Sequence, residues 1–237
     1  VENAHILVVD DSAMNLKVAA SMLRHYGVEI ETALSGKEAI EKVSRKNYDL
    51  IFMDHMMPEM DGVECMQRLH ELPVVRECHT PIVALTANAI GGAREMLMDE
   101  GFDDFVAKPI EKSAMERVLR KYLSMFIEKD TGEEQVTCET EESSGLSGQF
   151  KEGRKEFEAA GIDRRLGLSY FDNNEADYME IVQCFYEQGR SQIQTLQELY
   201  DKKDWENYKI NVHSLKGQSL TIGAKELSKR AKRMQEA

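Results

Sequence analysis

The stretch Ile51–Gly62, IFMDHMMPEMDG, decides the fold of the first half of the chain. It continues the apolar run Leu50–Met53, which stops at the acid Asp54. A short apolar run bounded by polar residues is typical of a buried strand in a parallel sheet. Pro58 and the pair Asp61–Gly62 then predict a turn into a helix. Asp54 is therefore predicted at the carboxyl end of a strand, which is where open α/β sheets bind their ligands.

The same alternation of apolar runs and helical segments extends over residues 1–123. Further strands are predicted at His5–Val9, Val28–Ala33, Pro81–Thr86 and Phe105–Pro109. Helices are predicted at residues 13–25, 36–46, 61–72 and 88–100, and a last helix carries Met115, Val118, Leu119, Tyr122, Leu123 and Phe126 on one face. These strand–helix units predict a parallel sheet with helices on both of its faces.

Polar residues follow four of the predicted strands. Asp10 and Asp11 end the first strand, Asp54 the third, Thr86 the fourth and Lys108 the fifth. In a parallel sheet these strand ends lie at one edge, where the carboxylates repel one another unless a cation lies among them. An all-oxygen set of ligands suits Mg²⁺. With the hydroxyl of Thr86 and the charge of Lys108, the edge is predicted to hold a phosphoryl group on one carboxylate.

Four motifs in this half, DD at 10–11, MDxxMPxMDG at 53–62, LTA at 85–87 and KP at 108–109, occur in the order and spacing of a known family. Residues 5–123 resemble the receiver domain of bacterial response regulators. The resemblance implies an α/β doubly wound, five-stranded parallel sheet of the flavodoxin-like type, with strand order 2-1-3-4-5. We also predict a cis peptide bond at Lys108–Pro109, because Lys108 must point toward the acids while the chain turns into the last helix, and an X–Pro bond can be cis at modest cost. The resemblance agrees with this prediction.

The resemblance also implies a role for each site residue. Asp54 is the expected phospho-acceptor, and Asp10, Asp11, Asp54 and the carbonyl of Met56 are the expected Mg²⁺ ligands. Thr86 and Lys108 are expected to contact the phosphoryl oxygens. Phe105 occupies the position of the aromatic switch residue of the family. Asp54 is then expected to accept the phosphoryl group from a kinase phosphohistidine.

Residues 128–148 interrupt this pattern with seven acids against one base, followed by a run rich in serine and glycine. A stretch of this composition buries too little apolar surface to offset its chain entropy, which predicts a flexible linker. We therefore expect a receiver domain at 1–124, an acidic flexible linker at 125–155 and a helical domain at 156–237.

The helical domain is predicted to contain three main helices. The first has a buried face formed by Tyr178, Ile181, Val182, Phe185, Ile193, Leu196 and Tyr200. The second has a core stripe formed by Trp205, Tyr208, Val212, Leu215 and Ser219, and the third runs from Ala224 through Met234. His213 lies one residue off the core stripe, at its predicted solvent-facing edge, and Lys216 and Gly217 share its face. A lone helical histidine is usually structural, although a mid-helix glycine, which costs about 1 kcal/mol relative to alanine, leaves space beside this one.

The segment HSLKGQSLTIGA, residues 213–224, resembles the histidine-containing phosphotransfer (HPt) domain, and GIDRRLGLSYF at 161–171 supports that resemblance. It implies that His213 is phosphorylated and that Lys216 is its phosphate partner. Gln218 departs from the small residue common at its position. The family's four-helix bundle implies a further helix after Ala237, and we expect homo-oligomers to form through the apolar faces that this helix would cover.

Together these features predict a phosphorelay protein in which Asp54 receives a phosphoryl group and His213 passes it to or from a receiver aspartate. The expected partners are an upstream histidine kinase domain and a downstream response regulator. The sequence contains no glycine-rich ATP lid of a kinase core, so we expect the chain to act as a phosphotransfer intermediate. Because it begins without methionine and shows no output domain, we expect it to come from the C-terminal part of a hybrid sensor kinase. Two alternatives are a regulatory binding module in which only Asp54 is phosphorylated and a phosphohistidine phosphatase.

Composition limits the remaining functions. The net charge of −13 argues against sequence-independent binding to nucleic acid, and we expect no nucleic-acid partner. The sequence shows no signal peptide and no apolar run of the ~20 residues that a membrane span needs. The four cysteines lack metal-binding spacing, which favours reduced thiols. We therefore expect a cytoplasmic location, either free or attached to a membrane-anchored sensor kinase.

Overall fold

The computed structural model describes residues 4–87, 93–123, 157, 159–171 and 173–236. Its α/β half contains the strands β1 (His5–Val9), β2 (Glu29–Ala33), β3 (Leu50–Asp54), β4 (Ile82–Thr86) and β5 (Asp104–Ala107). The helices of this half are α1 (Ala13–Arg24), α2 (Gly36–Val43), α3 (Gly62–Glu71), α4 (Pro73–Cys78), α5 (Ala93–Glu100) and α6 (Lys112–Tyr122). The helical half contains α7 (Arg164–Ser169), α8 (Glu175–Lys202), α9 (Trp205–Thr221) and α10 (Lys225–Glu236).

The five strands form one parallel sheet in the order β2-β1-β3-β4-β5, which confirms the predicted fold. Val9 pairs with Met53, and Asp54 pairs with Leu85. This register places the residues that follow β1 and β3 side by side at the carboxyl edge. Side chains alternate along each strand, so the sheet has two apolar faces, and each packs against its own layer of helices.

One difference from the prediction lies between α3 and β4. The helix predicted at 61–72 is α3, but the structure adds the short helix α4, which starts at Pro73 and was not predicted from the sequence. Proline is favoured in the first turn of a helix because its missing N–H has no intrahelical partner there. The two valines that follow have low helix propensity, which is why the pattern did not predict this element.

Three predictions lie wholly or partly outside the described residues. The first is the acidic linker at 125–155. The second is the beginning of the helix predicted at 88–100, whose described part is α5. Phe126, assigned to the face of the last α/β helix, also lies outside them.

Tyr178 is the centre of the helical half. Its side chain is fully buried, and its hydroxyl donates to the carbonyl of Ile222 at 3.1 Å. The rings of Phe157 and Phe171 pack against it, each with a centroid separation of 6.1 Å. Gly167 permits this packing, because a Cβ at that position would lie 2.4 Å from the tyrosine ring. The sequence segment 161–171 therefore forms the base on which α8 and α9 pack.

The buried face predicted for α8 is present in the first half of the helix but not in the second. Tyr178 and Ile181 are buried, whereas Ile193 is 71% and Tyr200 56% exposed. Trp205, predicted in the core stripe of α9, is also exposed and packs edge-on against Tyr200. The periodicity indicated an apolar face correctly, but no described element covers its second half. The further helix and the homo-oligomer expected at this face stay predictions.

None of the described helices combines the length and the apolar composition that crossing a membrane requires.

Candidate functional site

The acids that follow β1 and β3 converge. Carboxylate oxygens of Asp10, Asp11 and Asp54 all lie within 4.8 Å of one another. Asp10 and Asp54 are buried, and Asp11 is half-buried. Three carboxylates this close repel strongly in a site with little water, so the cluster requires compensating positive charge.

Lys108 supplies part of that charge. Its ammonium lies 2.6 Å from Asp10 Oδ2 and 2.8 Å from Asp54 Oδ2, and its side chain is only 10% exposed. The Lys108–Pro109 peptide bond is cis, as predicted. The backbone N–H of Lys108 donates to the carbonyl of Thr86 at 2.7 Å, which ties the end of β5 to the end of β4.

The shifted pKa values of these groups indicate that the negative charge of the cluster is not balanced. Burial, opposed by Lys108 and assisted by the other two acids, raises the pKa of Asp54 to about 8. Burial and the nearby carboxylate of Asp10 raise the pKa of Asp11 to about 6. For Lys108, burial acts in the opposite direction, but the carboxylates of Asp10 and Asp54 raise its pKa above the ordinary value. One ammonium therefore does not neutralise three carboxylates, and these oxygen ligands fit a divalent cation.

Further contacts hold the acids in place. The N–H of Ser12 and the side-chain amide of Asn15 both donate to Asp10 Oδ1 at 2.9 Å. The N–H of Met56 donates to Asp54 Oδ1 at 3.3 Å. Sequence reasoning missed Ser12 and Asn15 as supports of Asp10, although Ser12 is a recognisable helix N-cap and caps α1.

Two other predicted residues lie on the neighbouring strands. Thr86 ends β4 and is buried at the same edge of the sheet. Phe105 is half-buried on β5 and packs against the core on the α3 side of the sheet. The predicted roles of Thr86 in phosphoryl contact and of Phe105 as a switch stay predictions.

His213 faces the acidic cluster from the helical half. A single cavity is lined by Asp54, Met56 and Lys108 on one side and by His213 and Gly217 on the other. The sequence placed His213 at a solvent-facing edge. This prediction was wrong. The imidazole is half-buried, because α9 packs with this face toward the α/β half.

The surroundings of His213 keep its imidazole neutral. Burial, together with the ammonium groups of Lys216 and Lys108, lowers the pKa of His213 to about 4. The neutral ring has an unprotonated nitrogen, which is the form that can act as a nucleophile.

Gln235 on α10 connects His213 with Lys216. Its Nε2 lies 2.8 Å from His213 Nδ1, and its Oε1 lies 3.4 Å from Lys216 Nζ. Sequence reasoning missed Gln235, because nothing in the local pattern of α10 indicates which residue of α9 it meets. A Cβ at Gly217 would have no heavy atom within 4 Å, so the space predicted beside the imidazole is present.

Comparison with known families gives the two halves their identity. Residues 6–120 match the family described as the response regulator receiver domain. Residues 180–237 match the Hpt domain. The chain contains a response regulator receiver domain followed by an Hpt domain. Both resemblances predicted from the sequence are confirmed, and the two domains together indicate a two-component phosphorelay, in which such domains interact with histidine kinases and response regulators.

Relatives of the receiver domain are histidine kinases. The chain is 38% identical over 117 residues to the signal transduction histidine-protein kinase BarA of Shigella flexneri, across 49% of this chain and 12% of that protein. It is 35% identical over 126 residues to the hybrid signal transduction histidine kinase L of Dictyostelium discoideum, across 49% of this chain and 7% of that protein. The chain therefore corresponds to a small part of the length of these relatives.

Among solved structures, the chain is similar to the receiver domain of the sensor histidine kinase PA1611 from Pseudomonas aeruginosa PAO1. The two are 33% identical, the similarity covers 52% of this chain and 98% of that one, and the TM-score is 0.47. That structure has a magnesium ion coordinated in its active-site cleft.

Proposed function

We propose that this chain forms two consecutive stations of a His-Asp-His-Asp phosphorelay and that the phosphoryl group passes between Asp54 and His213 of the same molecule. The observation that carries this proposal is the single cavity lined by Asp54, Lys108 and His213. An upstream histidine kinase domain would load Asp54, and a separate response regulator would receive the group from His213.

The transfer to His213 is a substitution at phosphorus. A ring nitrogen of His213 donates its lone pair to phosphorus while the bond between phosphorus and the Asp54 carboxylate oxygen breaks, and the bonding electrons return to that carboxylate. In the docked arrangement the amide N–H of Gln235 donates to Nδ1, so the proton of the neutral ring lies on Nε2. Attack through Nε2 therefore requires His213 to release Gln235 and to hold its proton on Nδ1, which leaves the lone pair on Nε2. Phosphoryl transfer has a loose transition state, so positioning and charge neutralisation supply most of the catalysis.

Positive groups on both sides of the cavity serve that neutralisation. Lys108 contacts Asp54 directly, so its ammonium is placed to stabilise the phosphoryl oxygens and the carboxylate that leaves. Lys216 is positioned by Gln235 near the imidazole and would contact the group once it is on His213. Mg²⁺ held by Asp10, Asp11, Asp54 and the carbonyl of Met56 would supply further neutralisation of the phosphoryl oxygens.

The chemical stability of the incorporated phosphate tests the proposal. The full chain is loaded with a radiolabelled acyl phosphate donor, such as acetyl phosphate, in the presence of Mg²⁺. Phosphohistidine is lost in acid, whereas an aspartyl phosphate is lost in alkali. We expect an alkali-stable label in the wild type that is absent from both His213→Ala and Asp54→Ala. A label that is entirely alkali-labile would instead support the regulatory binding module in which only Asp54 is phosphorylated.

A further inference from the structure

Gln218 on α9 is the point at which the Hpt domain bonds to the receiver domain beside the acidic cluster. Its side chain is only 4% exposed. Its Nε2 lies 2.7 Å from Ser12 Oγ of the receiver domain and 3.1 Å from Ser214 Oγ of its own helix. Its Oε1 accepts from Gln192 at 3.1 Å. Both amide hydrogens are therefore used, and one of them depends on the receiver domain.

The partner hydroxyl belongs to a residue next to the acidic cluster. Ser12 Oγ accepts from the N–H of Asn15 at 3.3 Å, which caps α1, and the N–H of Ser12 donates to Asp10. Gln218 therefore contacts a side chain that lies two positions after Asp10 and caps the helix α1, on which α8 packs. The contact between the docked Hpt domain and the receiver domain therefore depends on the residue type at position 12.

Two further polar pairs that cross the interface between described residues depend less on the residue type of the partner. Lys17 and Glu180 lie 3.2 Å apart, and both side chains are about half exposed, so water and salt screen their attraction. Ser21 donates to Asp177 at 2.8 Å at a part-buried position, and Asp177 also accepts from Asn174. Of these three contacts between described residues, the amide of Gln218 is the most deeply buried, so losing its partner leaves an N–H without water.

We propose that Gln218 is a specificity-determining residue, which matches this Hpt domain to receiver domains that present a hydroxyl at the position of Ser12. This inference rests on the proposed function, since it concerns which receiver exchanges phosphate with His213. A receiver with an aliphatic side chain there would bury an unpaired N–H of Gln218, which weakens docking about tenfold. Such a penalty against the wrong partner is one way in which interfaces achieve selectivity.

A double-mutant cycle in the full chain tests the pair. The wild type, Ser12→Ala, Gln218→Ala and the double variant are compared through the urea unfolding equilibrium of the receiver domain, because docking of the Hpt domain stabilises that domain. Ser12→Ala also removes the cap of α1, but that loss is common to both backgrounds and cancels in the cycle. Ser12→Thr is the matched control, since it keeps both the hydroxyl and the cap.

We expect Ser12→Ala to raise the unfolding equilibrium constant about tenfold more when Gln218 is present than in the Gln218→Ala background. Ser12→Thr is expected to behave like the wild type. A coupling below about twofold would overturn the proposal, as would a loss in Ser12→Thr equal to that in Ser12→Ala. The rate at which label reaches His213 is measured on the same variants. If the wild type transfers no phosphate, the proposed function fails, while the unfolding cycle still decides the role of Gln218.

Discussion

Gly62 lies so close to the backbone of Asp54 that a Cβ at position 62 would be 2.2 Å from the Asp54 carbonyl oxygen. The glycine that ends the IFMDHMMPEMDG stretch is therefore required for packing against the expected phospho-acceptor. Its N–H donates to the carbonyl of His55 at 3.0 Å, which closes the loop between β3 and α3.

Gly62→Ala should therefore destabilise the receiver domain by about 1–3 kcal/mol, because a backbone atom must move to admit the methyl group. Urea denaturation measures this loss. Gly189→Ala is the matched control, since a Cβ at Gly189 meets no heavy atom within 4 Å and should increase stability by up to about 1 kcal/mol. Equal stability of Gly62→Ala and the wild type would show that the loop adjusts freely.

Lys108→Ala should have opposite effects on metal binding and on transfer. Its ammonium pairs with Asp10 and Asp54, so it competes with a cation for the same carboxylates. We expect tighter Mg²⁺ binding in the variant, measured by calorimetric titration, and transfer to His213 that is roughly 10²-fold slower or more. Weaker Mg²⁺ binding in Lys108→Ala would contradict the placement of the metal among these acids.

The lowered pKa of His213 predicts a pH dependence of stability. Its pKa is about 4 in the folded chain and 6.5 in an unfolded one. Between these two pH values, His213 is therefore protonated in the unfolded state and neutral in the folded state. The unfolding free energy should therefore fall as pH decreases from about 6.5 to about 4, by on the order of 1–3 kcal/mol from this group. His213→Gln should remove that part of the pH dependence. Identical pH profiles for the two chains would exclude a buried, neutral His213.

The connection between the two domains should accelerate transfer. Two residues joined by one chain experience an effective concentration in the millimolar range when the linker permits contact. A mixture of Asp54→Ala and His213→Ala chains at about 10 μM should therefore transfer on the order of 10²-fold more slowly than the wild type. Equal rates, measured as label reaching histidine, would mean that transfer within one molecule has no advantage.

The apolar face of the Hpt domain should promote association. Ile193 and Leu227 are exposed and line one groove together with Val182 and Phe185. We expect dimers or larger species at high protein concentration, because association would remove these apolar side chains from water. Light scattering of the wild type and of Ile193→Lys measures this. A monomer at all concentrations for the wild type would contradict the expectation.

The sheet and its acidic edge were predictable because the evidence for them is local. Each strand is a short apolar run with a polar residue at its end, and parallel topology then places Asp10, Asp54 and Lys108 together. Contacts between helices were not predictable in this way. Gln235 meets His213 and Gln218 meets Ser12 through packing angles that no spacing within α9 or α10 encodes.

The same limit explains the errors in the helical half. Periodicity shows that α8 has an apolar face, but it does not show where a partner covers that face, so Ile193 and Tyr200 were predicted as buried. It also placed His213 toward solvent, because the sequence contained no information on how the receiver domain packs against α9. The mid-helix glycine at 217 was the useful signal, since its missing side chain leaves room in the shared cavity.

The shared cavity also has a consequence for timing. While His213 faces Asp54, neither residue is open to a second protein, because each forms part of the wall that covers the other. Under the proposed function, every phosphoryl group that traverses the chain then requires the domains to separate twice, once for entry and once for exit. Tight docking would speed the internal step and slow both exchanges, so the throughput of the relay should be greatest at an intermediate affinity between the two domains.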